Sequence, residues 1–212
     1  MANINIVSSD LDILAKVNDL MPKVKEILTP VKGHKIYHLE GDAWEHTLLV
    51  MGCAQSPLEK LCYLLHDIGK AECHVEDKEG WCTYPNHARG GAEILHEFIE
   101  REEDPTLFDT LHWVIGNHIK TLFLYGNRSE PDKLRKDITK LLKSIPEGVD
   151  KSLAMSLLLR LGVADIRGSV CSPDVLEEQT RTVGFLTHLE WERVNGQIPD
   201  SVWEEFSCRE LL

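Results

Sequence analysis

The chain has 212 residues, of which 42% are hydrophobic and 27% charged, and its formal net charge is −12. That length supports a sizeable single core, and the balance of apolar and charged residues is ordinary for a soluble globular protein. The negative charge argues against broad binding to nucleic acid or anionic membranes, since both require a basic surface.

The first predicted element is a helix capped by Asp10 and carrying Leu11, Ile13, Leu14, Val17 and Leu20, with Pro22 opening a further turn to Leu28 before Thr29-Pro30 breaks it. Residues 31–41 read as a loop. Asp42, with Glu45 as capping-box partner, starts a second helix in which His46, Leu49, Val50 and Cys53 share a face. Ser56-Pro57 with Glu59 starts a third, with Leu58, Leu61, Cys62, Leu65 and His66 inward and Gly69 as its stop. Residues 72–85 suggest a small hairpin or ordered loop around Lys78-Glu79-Gly80. Asn86 caps a helix that places His87, Gly91, Ile94, Leu95 and Phe98 on one face. Asp104-Pro105 begins another, with Leu111, Val114, Ile115 and His118 aligned.

After a break at Gly126-Asn127, Pro131 opens a mixed-charge helix to Lys143, whose basic positions are interrupted by acidic ones in the manner of a solvated face. Asp150 caps an apolar helix with Leu157, Leu158, Leu161 and Asp165 on one side, ending at Arg167-Gly168. Ser172-Pro173 starts a helix to about Val194, and Pro199–Leu212 forms the last. Helical periodicity dominates, without repeats and without a linker long enough to divide domains. The expectation is an all-α, compact single domain over 1–212, with its chemistry in about 40–170 and C-terminal helices over about 172–212.

Other segments exclude more than they suggest. No apolar run reaches the roughly 18 residues of a membrane span, and Met1–Asp10 lacks the charged lead and apolar core of a signal peptide. The six cysteines are scattered without a C-x-x-C pair, and Cys73-His74 and Cys82 match no zinc spacing, so they read as loop residues of a cytoplasmic chain with reduced thiols.

The informative feature is where polar residues interrupt apolar faces. Tyr63-Leu64-Leu65-His66-Asp67-Ile68-Gly69-Lys70 ends a buried helix in two adjacent metal-binding side chains, and His46, His87, His118 and Asp165 each continue an apolar face elsewhere. Any one such histidine is ordinarily a buried, hydrogen-bonded residue. Asp165 is harder to place, because an ionised carboxylate in an apolar interior is costly unless paired or metal-bound; Arg160 and Arg167 are its candidate partners. Six such positions from five separate helices fit convergence on a cation. Imidazole and carboxylate together suit a divalent transition metal, one or two ions of Mn, Ni, Co, Fe or Zn, with Mg less favoured.

The ordered set His46, His66-Asp67, His87, His118, Asp165 resembles the HD-domain superfamily of metal-dependent phosphohydrolases. Three strings are similar to the HD domain of bacterial tRNA nucleotidyltransferases (CCA-adding enzymes): Leu65-His66-Asp67-Ile68-Gly69-Lys70, Tyr84-Pro85-Asn86-His87-Ala88-Arg89-Gly90-Gly91-Ala92 and Leu161-Gly162-Val163-Ala164-Asp165. The nucleotidyltransferase half is missing, so tRNA synthesis is not implied. The resemblance implies that His46, His66, Asp67 and Asp165 bind a first metal, with His87 and His118 as ligands of a second and Asp67 bridging. His87 and His118 have an alternative role in binding phosphate or donating a proton. Lys70 is a candidate to face the phosphate, with an ordinary helix-end lysine as its alternative, and Asn86, Arg89 and Lys120 are further substrate-binding candidates.

The expected activity is hydrolysis of a phosphate ester, a nucleotide or a 2′,3′-cyclic phosphodiester, by metal-activated water. HD-type 5′-nucleotidases often carry a Glu a few residues after the HD pair, where this chain has Lys70 and Ala71 before Glu72. Two rival expectations are an HD-fold mixed-valent diiron oxygenase cleaving C–C or C–P bonds, which the six-ligand set also resembles, and a non-catalytic metal-containing nucleotide-binding regulator. The expected partner is a small phosphate-bearing molecule rather than a membrane or an extended nucleic acid.

Overall fold

In a computed structural model, which describes residues 6–33, 36–76, 78 and 82–194, the chain is all-α apart from one two-stranded ribbon. In chain order come α1 (Asp10–Leu28), α2 (Ala43–Met51), α3 (Pro57–Leu65), β1 (Val75–Glu76), β2 (Cys82–Thr83), α4 (His87–Glu93), α5 (Pro105–Asn117), α6 (Lys120–Gly126), α7 (Pro131–Ser144), α8 (Lys151–Gly168) and α9 (Pro173–Val194), with 3-10 turns at Ile68–Ala71 and Leu95–Glu97. No helix among the described residues is long and apolar enough to cross a membrane. The expected helix Pro199–Leu212 lies outside the described residues, as do His34 and the Glu79-Gly80 part of the hairpin turn.

Helix starts follow local side-chain chemistry. Asp42, Ser56, Asp104 and Asp150 each accept a hydrogen bond from a first-turn backbone N–H that the helix itself leaves unpaired. At α1 the cap is Ser9, not Asp10: Ser9 and Asp12 form a reciprocal capping box, and Asp10 is already the first helical residue. Pro22 lies inside α1 rather than opening a new turn, and the helix runs unbroken to Leu28. Asn86 precedes α4 in a left-handed conformation (φ 61°) without a side-chain cap, so it turns the chain and does not cap it.

One hydrophobic core runs through the bundle, drawing on Val17 and Leu28 of α1, Leu61 and Leu64 of α3, Leu111 and Val114 of α5, Leu158 and Leu161 of α8, and Phe185 and Leu186 of α9. Helix α1 packs on α3, α2 on α8, α4 on α5 and α8 on α9. Leu49, expected inward, is 45% exposed, and α2 buries Trp44, His46, Thr47 and Val50 instead. Short α6, which the sequence reading passed over, supplies Thr121, Leu124 and Tyr125.

Two glycines set the spacing that matters for the site. A Cβ on Gly69 would lie 2.1 Å from the His87 carbonyl oxygen and 2.3 Å from the Gly91 nitrogen, so the turn after His66-Asp67 touches the α4 backbone directly. Gly69 therefore permits close approach rather than stopping a helix; α3 has already ended at Leu65. At the other side, a Cβ on Gly168 would lie 2.8 Å from the Val50 nitrogen. Its absence lets the end of α8 lie against α2, which brings Asp165 to His46.

Candidate metal centre

The six ligand candidates converge. His46 comes from α2, His66 and Asp67 from the end of α3, His87 from the first residue of α4, His118 from the end of α5 and Asp165 from α8. His46, His66, Asp67 and His118 are buried to 2% exposure or less. Asp67 sits between two groups of imidazoles. Its Oδ2 is 3.2 Å from His66 Nε2 and 3.7 Å from His46 Nε2, while its Oδ1 is 3.4 Å from His87 Nε2 and 3.9 Å from His118 Nε2. Asp165 Oδ1 completes the first group, 2.9 Å from His46 Nε2 and 3.9 Å from His66 Nε2. Donors bound about 2.1 Å from one ion stand roughly 3.0–3.4 Å apart, so both groups are close to the spacing one cation each would impose.

The tautomers decide what these rings offer. Nδ1 of His66, His87 and His118 lies 2.7, 2.7 and 2.8 Å from the carbonyl oxygens of Tyr63, Tyr84 and Ile115. A carbonyl only accepts, so each Nδ1 carries the proton and donates it. In the neutral ring each Nε2 then presents a lone pair towards Asp67. His66 Nε2 is buried with no hydrogen-bond partner, and His87 Nε2 and His118 Nε2 face each other at 3.1 Å. Lone pairs aimed at one another and at a carboxylate repel unless a proton or a metal ion lies between them, so the donor set fits a divalent metal.

Electrostatics follow from the same geometry. Burial lowers the His46 pKa, but the carboxylates of Asp165 and Glu40 outweigh it and raise it to about 9. Burial, reinforced by the charges of His87 and His66, pushes His118 down to about 4. Asp67 and Asp165 are held well below the usual carboxylate range: burial opposes this, and the surrounding imidazoles, with Lys70 beside Asp67, prevail. Lys70 Nζ is 2.5 Å from Asp67 Oδ2, and the residue is 8% exposed, so it is a buried ion-pair partner rather than a solvated helix end. Neither expected arginine reaches Asp165: Arg160 pairs with Glu59 and Glu190, and Arg167 is exposed.

Residues 44–145 match the family model of the HD domain. No curated protein matches the chain. The HD-domain match covers just under half of the sequence. It includes five of the six ligand candidates; Asp165 lies beyond it and is brought to the cluster by the packing of α8 on α2, α3 and α5.

Sequence reasoning missed Glu40 and His38. Glu40 Oε1 lies 2.9 Å from His46 Nδ1 and 2.8 Å from His38 Nδ1, and its Oε2 accepts from the Val170 N–H just after α8. It thus holds the outer edge of the His46 ring, the usual partner of a metal-binding imidazole. Its segment is irregular, so no periodicity marked it. Conversely, Arg89 is exposed and paired with Glu93, Lys120 donates to Asn117, and Asn86 is exposed; none of the three lines the adjoining cavity.

That cavity has a volume of about 510 Å³ and opens over Asp67, Lys70, His87, His118 and Asp165. Its outer wall is mainly apolar, from Tyr37, Ile119, Leu122, Tyr125, Ile166 and Val175, with the Arg128 guanidinium 3.9 Å over the Tyr125 ring.

Proposed function

We propose that the protein is a metal-dependent phosphohydrolase acting on a small phosphate ester, a nucleotide or a 2′,3′-cyclic phosphodiester, in the cytoplasm. The observation that carries this reading is the trio of Nδ1-protonated histidines whose Nε2 lone pairs meet at Asp67, at the floor of a cavity that also contains Lys70. His46, His66, Asp67 and Asp165 would hold a first divalent ion, and His87, His118 and the second oxygen of Asp67 a second. Such an ion supplies Lewis acidity and a hydroxide near neutral pH.

The chain's own residues do the rest. The backbone carbonyls of Tyr63, Tyr84 and Ile115 fix three imidazoles in the tautomer that can ligate. Lys70, ion-paired to Asp67 and lining the cavity, would set a positive charge beside a bound phosphoryl group, an interaction that strengthens as negative charge develops there. The apolar wall excludes water from the organic part of the substrate, and the Arg128–Tyr125 stack offers a flat surface for a base. Substrate contacts are therefore assigned to Lys70 and the cavity wall ahead of Asn86, Arg89 and Lys120.

The test is an assay of metal-reconstituted protein against 2′,3′-cyclic nucleotides, nucleoside monophosphates and an aryl phosphodiester, with and without oxygen. Oxygen-independent cleavage stimulated by Mn, Ni, Co or Mg is expected, and Lys70→Ala should keep its metal while losing turnover on phosphate esters. An iron-loaded protein that consumes oxygen with an organic substrate and ignores phosphate esters would overturn the reading in favour of a diiron oxygenase. A protein inert in every assay yet binding a nucleotide would overturn it in favour of a regulator.

A further inference from the structure

The ribbon of β1 and β2 carries a second cluster of donors. Val75 pairs with Thr83 and Glu76 with Cys82 in antiparallel register. Directly opposed side chains share a face of a ribbon, as do residues two apart along one strand. Continuing that register places His74 opposite Tyr84, so His74, Glu76 and Cys82 fall on one face. Their donor atoms lie within 4.8 Å of one another, and His74 Nε2 is 3.3 Å from Cys82 Sγ. A thiolate at about 2.3 Å and an imidazole at about 2.1 Å from one tetrahedral ion stand roughly 3.6 Å apart, so the pair is nearly at coordination distance. The Cys82 side chain is buried whereas His74 and Glu76 are exposed, which leaves the donor face open to an ion from solvent.

We propose that His74, Glu76 and Cys82 form a zinc site separate from the buried His/Asp centre, with water as fourth ligand. Sulfur, imidazole and carboxylate together favour zinc over Mg or Ca, which prefer oxygen donors. On binding, Cys82 gives its thiol proton to solvent and the ion joins β1 to β2. The consequence reaches the cavity, because Cys82, Thr83 and Tyr84 line its wall and the Tyr84 carbonyl accepts the His87 Nδ1–H. A closed ribbon thereby holds the carbonyl that orients His87.

Cobalt(II) reads this site selectively. The buried centre has only nitrogen and oxygen donors, so a thiolate-to-cobalt charge-transfer band in the near ultraviolet reports a cysteine ligand. Full-length protein titrated with cobalt should develop that band, and added zinc should bleach it. Cys82→Ser should abolish it, and exposed His74→Ala, which leaves the core untouched, should remove it or require at least tenfold more cobalt. The band should persist in His66→Ala, where the buried centre is broken, so this test is independent of the proposed activity. Absence of the band in the wild-type protein, or an undiminished band in either Cys82→Ser or His74→Ala, would overturn the site.

Discussion

Replacing Gly69 with Ala tests whether one backbone contact holds the two halves of the buried centre together. The added methyl would meet the His87 carbonyl oxygen at 2.1 Å, the Gly91 nitrogen at 2.3 Å and the Gly91 Cα at 2.9 Å. All three are backbone atoms, so no side chain can swing aside. An ordinary carbon–oxygen contact is at least about 3.2 Å, so the turn Ile68–Ala71 and α4 must part by roughly 1 Å; overpacking of this kind costs about 1–3 kcal/mol or more. The same displacement widens the 3.4 Å gap between Asp67 Oδ1 and His87 Nε2. It leaves α2 and α8, and hence His46 and Asp165, in place. Denaturant unfolding with and without metal, together with elemental analysis, should show a lower midpoint and, on the proposed two-ion reading, loss of the ion that His87 and His118 would hold before the one that His46, His66 and Asp165 would hold. An unchanged midpoint with the full metal complement would refute the argument that Gly69 sets this spacing.

Three further outcomes are expected. His66→Ala or Asp67→Ala should lose metal measured by elemental analysis and lose the stabilisation that metal gives the wild-type protein in thermal melts, since an ion bound only to the folded state is linked to folding. Glu40→Gln should keep the fold but weaken metal binding about 10- to 100-fold in a competition titration, because the His46 ring loses its anionic partner. In chelator-treated protein, the stabilisation from His46, whose folded pKa is raised to about 9, is complete below about 6.5 and is lost as pH rises from there through 9. The contribution of neutral His118, whose folded pKa is lowered to about 4, is present above about 6.5 and is lost as pH falls towards 4. Metal-free melts should therefore peak near pH 6.5, while metal affinity keeps rising towards pH 9 as His46 gives up its proton; a metal-free melting temperature that climbs from pH 6.5 to 9 would contradict this.

The helices and most of their starts were legible from the sequence because they rest on local physics. Side chains at Asp42, Ser56, Asp104 and Asp150 satisfy backbone groups three residues away or nearer, and His46, His66, His118 and Asp165 sit in register with apolar neighbours on their own helices. That register marked them as inward-facing before any packing was known, and the adjacent pair His66-Asp67 marked where inward chemistry concentrates. Packing decided what periodicity could not express. The approach of α8 to α2 across Gly168, and of the Gly69 turn to α4, determines that five separate segments share one point and that Asp67 divides its oxygens between two groups of imidazoles. Glu40 and His38 reach His46 from an irregular segment with no period to read. Arg89 and Lys120, close in sequence to ligand candidates, were turned outward by the helical rotation that carried His87 and His118 inward. The His74, Glu76 and Cys82 cluster matches no linear spacing of metal ligands, because its proximity comes from strand register, which exists only once the two strands have paired.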